Sequence, residues 1–452
     1  MKQETDFTSG PIMGPLLRFT MPILLALFLQ ALYGAVDLLV VGKYAAAPDV
    51  SGVAIGSQLM MTVTNLLSSF ATGTTILLGQ KIGEGDRESG GDIIGTAIVM
   101  FLAAGAALTV LLPALSGTLA AAMNAPAKAF SETSRYVAIC GAGSVMIVAY
   151  NVLGSVMRGI GDSKTPLMTV AIASVCNIAG DLLLVAGFHL GAAGAAIATV
   201  FSQTVSVVIS FVILSRRQLP FTFTRKKIRI EGRYFRQMVR YGLPIAAQDL
   251  LVGLSFLVIL AITNGLGVIA SAGVGIAEKV CNFIMLTPIA FEHAMSAYVA
   301  QNRGAGRYDR ATRGMRIAVA VSTAFGCAMF ALAFFRGDLL CGIFSNDPAV
   351  AAAGREYLRA YAIDCLFTCF LFCFIGFYNG LGHTGFVMVQ GVAAAFFIRI
   401  PVAFVMSRVV GTLFSIGLSI PCSTIAQIAA CFGFYAFLRK RELRVIKKAS
   451  PV

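Results

Sequence analysis

Two aspartates stand where an aspartate is costly: Asp37 in "QALYGAVDLLVVGKY" (30–44) and Asp181 in "NIAGDLLLV" (177–185), each inside a long apolar run. An ionised carboxylate at bilayer depth costs ~2.5–3.5 kcal/mol on insertion scales, so it persists where something answers it. Asn177 lies one helical turn before Asp181 on the same face, and Thr199 offers a hydroxyl from the next apolar run. Carboxylate, amide and hydroxyl oxygens are what a hard cation takes in exchange for its hydration shell. That composition suits Na+. It suits a proton too, because two neighbouring carboxylates in a low dielectric titrate as a coupled pair.

A second charged set falls in the C-terminal half: Asp249, Glu278, Glu292, His293, Asp364 and Arg399. Glu278, Glu292, His293 and Asp364 are candidates for a further coupling role. Arg399 is also a prospective ion-pair partner for Asp364, which would hold two helices in register. Gln30, Tyr33, Met61 and Asn65 interrupt the first two apolar runs near Asp37 and are candidate cavity residues, in a chain with 33 Phe, 17 Met and no Trp.

The elements that must position these residues are membrane helices. The 452 residues are 58% hydrophobic and only 12% charged, with mean hydropathy +0.83, against roughly 25% charged in soluble domains. The apolar stretches are of the ~20-residue length that crosses hydrocarbon as a helix and lack the alternation of a β-barrel. The expected class is an all-α polytopic membrane protein with twelve spans: 16–41, 52–80, 93–122, 133–157, 165–188, 191–215, 238–263, 270–301, 313–336, 354–378, 384–408 and 413–438. The polar start "MKQETDFTSGPIMGP" leads into an apolar segment too long for a cleavable leader, so the first helix is expected to stay. The ten cysteines show no CxxC pair; Cys365, Cys369 and Cys373 fall on one helical face and read as small packing residues.

Basic residues set the orientation. Lys81 and Arg87, Arg158 and Lys164, the run from Arg216 to Arg240, Arg303 through Arg316 and the tail "LRKRELRVIKK" all flank spans on one side, which the positive-inside rule makes cytoplasmic, with both termini there. The formal charge of +14 is thereby concentrated where anionic lipid head groups attract it, and no basic soluble domain suggests nucleic acid.

An internal repeat organises the chain. "RFTMPILL" from Arg18 matches "RYGLPIAA" from Arg240; "SGVAIG" (51–56) matches "AGVGIA" (272–277); "QKIGEGDR" (80–87) matches "QNRGAGRYDR" (301–310); and "RGIGDS" (158–163) matches "NGLGHT" (379–384). The offset is 221 for all but the first pair, which differs by one. Duplication of six spans leaves the halves in the same orientation, related by an axis along the membrane normal. The expected organisation is an N-terminal segment 1–15, an N-lobe 16–215, a cytoplasmic linker 216–237, a C-lobe 238–438 and a basic tail 439–452. Offset by 221, Asp37 and Asp181 land on Val258 and Val402, so the acidic set belongs to one half alone.

Two six-helix lobes around a mid-membrane site are the architecture of a secondary transporter working by alternating access. No Walker A loop appears, so energy is expected from an ion gradient, with no cofactor. No HExxH, GxSxG or Cys/His dyad argues for an enzyme.

The stretch "VDLLVVGKY", the loop "GQKIGEGD", "RGIGDSKTP", "NIAGDLLLV", "GAAGAAIATV" and the second Gln-x-x-Gly-x-Gly after the eighth span resemble the multidrug and toxic compound extrusion (MATE) transporters over about residues 16 to 440, closest to the bacterial branch of DinF-like and MepA-like exporters. The resemblance implies a V-shaped protein of two six-helix lobes in a bacterial cytoplasmic membrane, functional as a monomer, exporting organic and often cationic compounds against Na+ or protons. It implies a cation site at Asp37, Asn177, Asp181 and Thr199, with Asn151 or Ser155 in the place of a further Asn in the fourth span. An alternative within the same superfamily is a flippase for lipid-linked saccharides.

Overall fold

The computed structural model describes residues 6–86, 88–216, 221–345 and 347–449, the side chains of 441–449 excepted. Arg87, the linker's residues 217–220, the first five residues and the last three of the tail lie outside the described residues. Every regular element among those described is helical. That is what hydrocarbon imposes, since a helix satisfies its own backbone groups where no water can.

The first half comprises α1 (Met13–Tyr44), α2 (Ala47–Gly83), α3 (Ser89–Ala122), α4 (Phe130–Ala142), α5 (Ser144–Gly159), α6 (Lys164–Asp181) and α7 (Gly191–Arg216). The second comprises α8 (Gly232–Asn264), α9 (Val268–Gly304), α10 (Tyr308–Phe335), α11 (Gly337–Gly342), α12 (Pro348–Gly380), α13 (Thr384–Ala394), α14 (Ile400–Val409), α15 (Leu413–Gly417) and α16 (Ser419–Ala449). Among the described residues, eleven helices are long and apolar enough to cross a membrane, or twelve if α4 and α5 are one span bent by 57°. The single straight fourth span expected from the sequence is therefore broken at "GAG" (141–143). There Gly141 packs so closely that an added Cβ would stand 2.6 Å from Leu112 Cβ. Pro22 and Pro244 lie inside α1 and α8 at matching points of the repeat.

Two spans loosen into π-helix: Leu182–Gly187 follows Asp181 directly, and Ala395–Arg399 ends on Arg399. Such insertions concentrate at functional sites because the widened turn re-aims a side chain. Both fall at the charged residue of their span.

The chain folds as two compact units: Met1–Ala246 with Ser296–Gly314 and Asn379–Thr384, and Ala247–Met295 with Met315–Tyr378 and Gly385–Val452. In the first unit, one core gathers α1, α2, α4 and α7 around Val41, Val53, Tyr136 and Ala195. Another holds α2, α3 and α5 together with linker residue Phe221 and with Tyr234 and Met238 of α8. The linker lies along α3, where Lys227 Nζ donates to Glu88 O at 2.5 Å and Glu231 N donates to Thr96 Oγ1 at 3.1 Å. Gly91 and Gly95 leave the room: a Cβ there would overlap Thr222 O and Lys227 O.

One end of the first unit carries the Gly-rich loops of both repeats. Gln80 Nε2 donates to Gly380 O at 3.0 Å, and Gln301 Nε2 donates to Gly159 O at 3.1 Å. The four residues are two repeat-related pairs, each at the offset of 221 read from the sequence. The second unit has its own core around Val274, Cys281, Leu358, Ile416 and Ile420. All ten cysteines are free thiols, and Cys365, Cys369 and Cys373 are buried.

Candidate cation site

Helix α6 packs against both α1 and α7, which brings residues from three distant parts of the sequence together. Asp37 from α1, Asn177 and Asp181 from α6 are buried, with 5%, 1% and 0% of their surface exposed. Asp37 and Asp181 are within electrostatic reach of one another. Thr199, from α7, donates its own proton to Ala195 O at 3.0 Å. Tyr136, on α4, neighbours both Thr199 and Asp37. Cys140 and Tyr33 complete the surroundings of Asp37, and Tyr33 neighbours Gln203, one turn beyond Thr199 on α7.

What distinguishes the group is how little of it is satisfied. Asp37 Oδ1, both carboxylate oxygens of Asp181 and both polar atoms of Asn177 are buried without a hydrogen-bond partner. Buried polar atoms in proteins are paired in nine cases out of ten or more, because an unmet one costs about 1–3 kcal/mol. Four unmet oxygens from three side chains, with the Thr199 oxygen nearby, form a donor set of the hard kind that suits Na+ or a proton.

The remaining candidates divide. Asn151 gives Nδ2 to Ile147 O of its own helix at 2.8 Å, which leaves its amide oxygen uncommitted, and Ser155 accepts from Arg158 at 2.8 Å. Gln30 donates to Tyr150 Oη at 2.6 Å, and Tyr150 neighbours Tyr33. Gln30 and Tyr33 thus extend the polar group from Asp37. Met61 and Asn65, one turn apart on α2, are both exposed, Met61 with 55% of its surface.

In the second unit, Glu278 and Asp364 gather around Tyr357, Cys281 and Arg399. The direct ion pair expected between Asp364 and Arg399 is replaced by hydroxyl contacts. Thr368 Oγ1 donates to Asp364 Oδ2 at 2.5 Å, while Arg399 donates to Ser423 Oγ and Ser255 Oγ, each at 3.1 Å, and lies over the Phe256 ring. Glu292 and His293 are half-buried on α9 and both already engaged. They sit fourteen residues from Glu278, roughly 20 Å along the helix, too far to join that cluster.

Tyr136, Cys140 and Gln203 were not singled out from the sequence. Gln203 had a signal, since Thr199 and Gln203 are four apart and share a helix face. Tyr136 had none, because a Tyr in an apolar run reads equally well as core.

A family model described as MatE matches the chain twice, over residues 22–183 and 244–405, an offset of 222 at both ends. The chain is 25% identical over 448 residues to the probable multidrug resistance protein YpnP of Bacillus subtilis, covering 97% of this chain and 98% of the relative. It is 22% identical over 439 residues to the multidrug export protein MepA of Staphylococcus saprophyticus, covering 96% of each. Its fold is that of an outward-facing multidrug resistance MATE family transporter of the MOP superfamily, with TM-score 0.90, 17% identity and 98% and 99% of the two chains covered.

Proposed function

Since the chain belongs to the MatE family of multidrug transporters, whose members carry small molecules and are not enzymes, we propose that it exports organic, often cationic compounds against an inward flow of Na+ or protons. The coupling ion binds at Asp37, Asn177, Asp181 and Thr199. The observation behind this reading is the buried set of unmet oxygens on α1 and α6: an arrangement this costly is maintained where a bound ion compensates it for part of a cycle. The exporter alternates access between the two sides of a bacterial cytoplasmic membrane, working as a monomer with both termini in the cytoplasm, where the basic flanks meet anionic head groups.

A carboxylate that holds a cation in one state and a drug or nothing in another couples the two flows, because both cannot be accommodated at once. Each of Asn177 and Thr199 supplies one neutral oxygen, so the net charge of the loaded site depends on the two aspartates alone. Glu278 and Asp364 are proposed as a secondary polar centre of the C-terminal half that supports the cycle without carrying the coupling ion, since Arg399 already supplies a fixed positive charge beside them. The test is efflux of a fluorescent organic cation from proteoliposomes containing Asp37→Asn or Asp181→Asn. Each variant should lose at least about tenfold in rate, the worth of ~1.4 kcal/mol, while remaining folded and inserted. Full efflux in both would remove the site from the mechanism.

A further inference from the structure

The crossed contacts at the loop end of the first unit carry a consequence for transport. Gln80 of the first repeat bonds Gly380 of the second, and Gln301 of the second bonds Gly159 of the first, at 3.0 and 3.1 Å. Both amides are buried, with 7% and 3% of their surface exposed. Beside them the backbones touch reciprocally: a Cβ on Gly83 would overlap Gln301 O, and a Cβ on Gly304 would overlap Gln80 O. Gly83 and Gly304 are again repeat partners, offset by 221. Each repeat thus offers one glutamine, one accepting glycine carbonyl and one glycine that permits the approach.

We propose that this crossed pair is the door that holds one end of the transport path shut, with Gln80 and Gln301 as its two bolts. The inference rests on the alternating-access reading above. Three properties fit a door better than a permanent joint. The bonds join one repeat to the other rather than stabilising either alone. Beside the bonds a small residue of one repeat meets a small residue of the other, Gly79 against Ala300. Water can replace each bond on opening, so losing one shifts the closed–open balance by a modest factor without abolishing either state. Because the bonds are related by the repeat axis, one rotation about that axis breaks both together.

The door is tested by electron–electron distance measurement in proteoliposomes of the full chain. Spin labels replace the exposed Glu84 and Asp309, and Cys176, Cys327 and Cys422, which are not buried, are changed to Ser. The unsubstituted door should give mainly a short distance. Gln80→Leu and Gln301→Leu should each enlarge the long-distance population about fivefold, the equivalent of one lost hydrogen bond, and by nearly the same factor. Gly304→Ala should make the long distance dominant and slow efflux. An unchanged distribution in both glutamine variants, a shift in only one of them, or a shift with no change in efflux would overturn the proposal. Absent efflux from the chain with its door intact would instead count against the exporter reading, leaving the distance result standing by itself.

Discussion

Thr199 is the least committed member of the cation site and the most informative to change. Its hydroxyl hydrogen is spent on Ala195 O, leaving the oxygen to act as an acceptor, with Tyr136 alongside. Thr199→Val removes that oxygen at nearly constant volume. With one neutral ligand of several lost, the apparent affinity for the coupling ion should fall about fivefold, near 1 kcal/mol, while maximal efflux persists; this is checked by titrating transport against ion concentration. Loss of maximal rate with unchanged affinity would assign Thr199 to something other than ion binding. Asp37 and Asp181 stand out in the sequence because carboxylates in an apolar run advertise themselves, and Asn177 stands out by its place one turn before Asp181. Tyr136 could not, since only the packing of α4 brings it beside Asp37, whereas Gln203 was signalled by its place one turn beyond Thr199. The Asp364–Arg399 pair was misjudged for a physical reason: Ser255, Ser423 and Thr368 are short hydroxyls that meet each charge locally, and single-sequence spacing gives no weight to them.

Among elements, the polar segment before α1 behaves as a strap. Arg310 donates through Nε to Phe7 O and through Nη1 to Gly10 O, both at 2.7 Å, and Arg307 donates to Thr8 O at 2.7 Å. Phe7 is fully buried, edge-on to Phe19 and Tyr298. Arg310→Ala should therefore free residues 6–11, seen as increased mobility of a spin label at residue 12; unchanged mobility would show that Phe7 and the bonds from Arg307 and Asn302 hold the strap without Arg310. At Asp6, partial burial works to raise the carboxyl. Hydrogen bonds from Ser9 and Thr8, with the charge of Arg310, outweigh it and hold the group below its ordinary 3.8. A depressed carboxyl contributes its stabilisation above 3.8 and loses it as pH falls through the still lower folded value. Label mobility should thus be the same at pH 5 and pH 8 and rise only below 3.8; a rise between 5 and 8 would contradict this assignment. The linker makes a parallel case. Gly95→Ala places a methyl against Lys227 O and should lower stability by about 1–3 kcal/mol, as overpacking does, read as a lowered unfolding temperature. The spans were legible as long apolar runs, but the bend between α4 and α5 was not, because small residues such as "GAG" are common in membrane helices and bend only where Leu112 and Pro113 press against them.

For the whole molecule, the duplication is the deepest feature that the sequence carries, and it reappears as the crossed bonds of Gln80 and Gln301. The symmetry stops at the charged centres. One half places unmet aspartate oxygens at Asp37 and Asp181, while the other places Arg399 among serines with Asp364 nearby. The halves thus share a scaffold and differ in charge, with unmet aspartate oxygens in one and a built-in guanidinium in the other. The account therefore turns on the N-terminal half. It is tested most directly by loading proteoliposomes with a fluorescent organic cation and imposing a Na+ gradient and a pH gradient in turn, for the unsubstituted chain and for Asp37→Asn. The account predicts transport driven by at least one of the two gradients and lost in the variant. Transport that needs neither gradient, or that survives at full rate in Asp37→Asn, would contradict it.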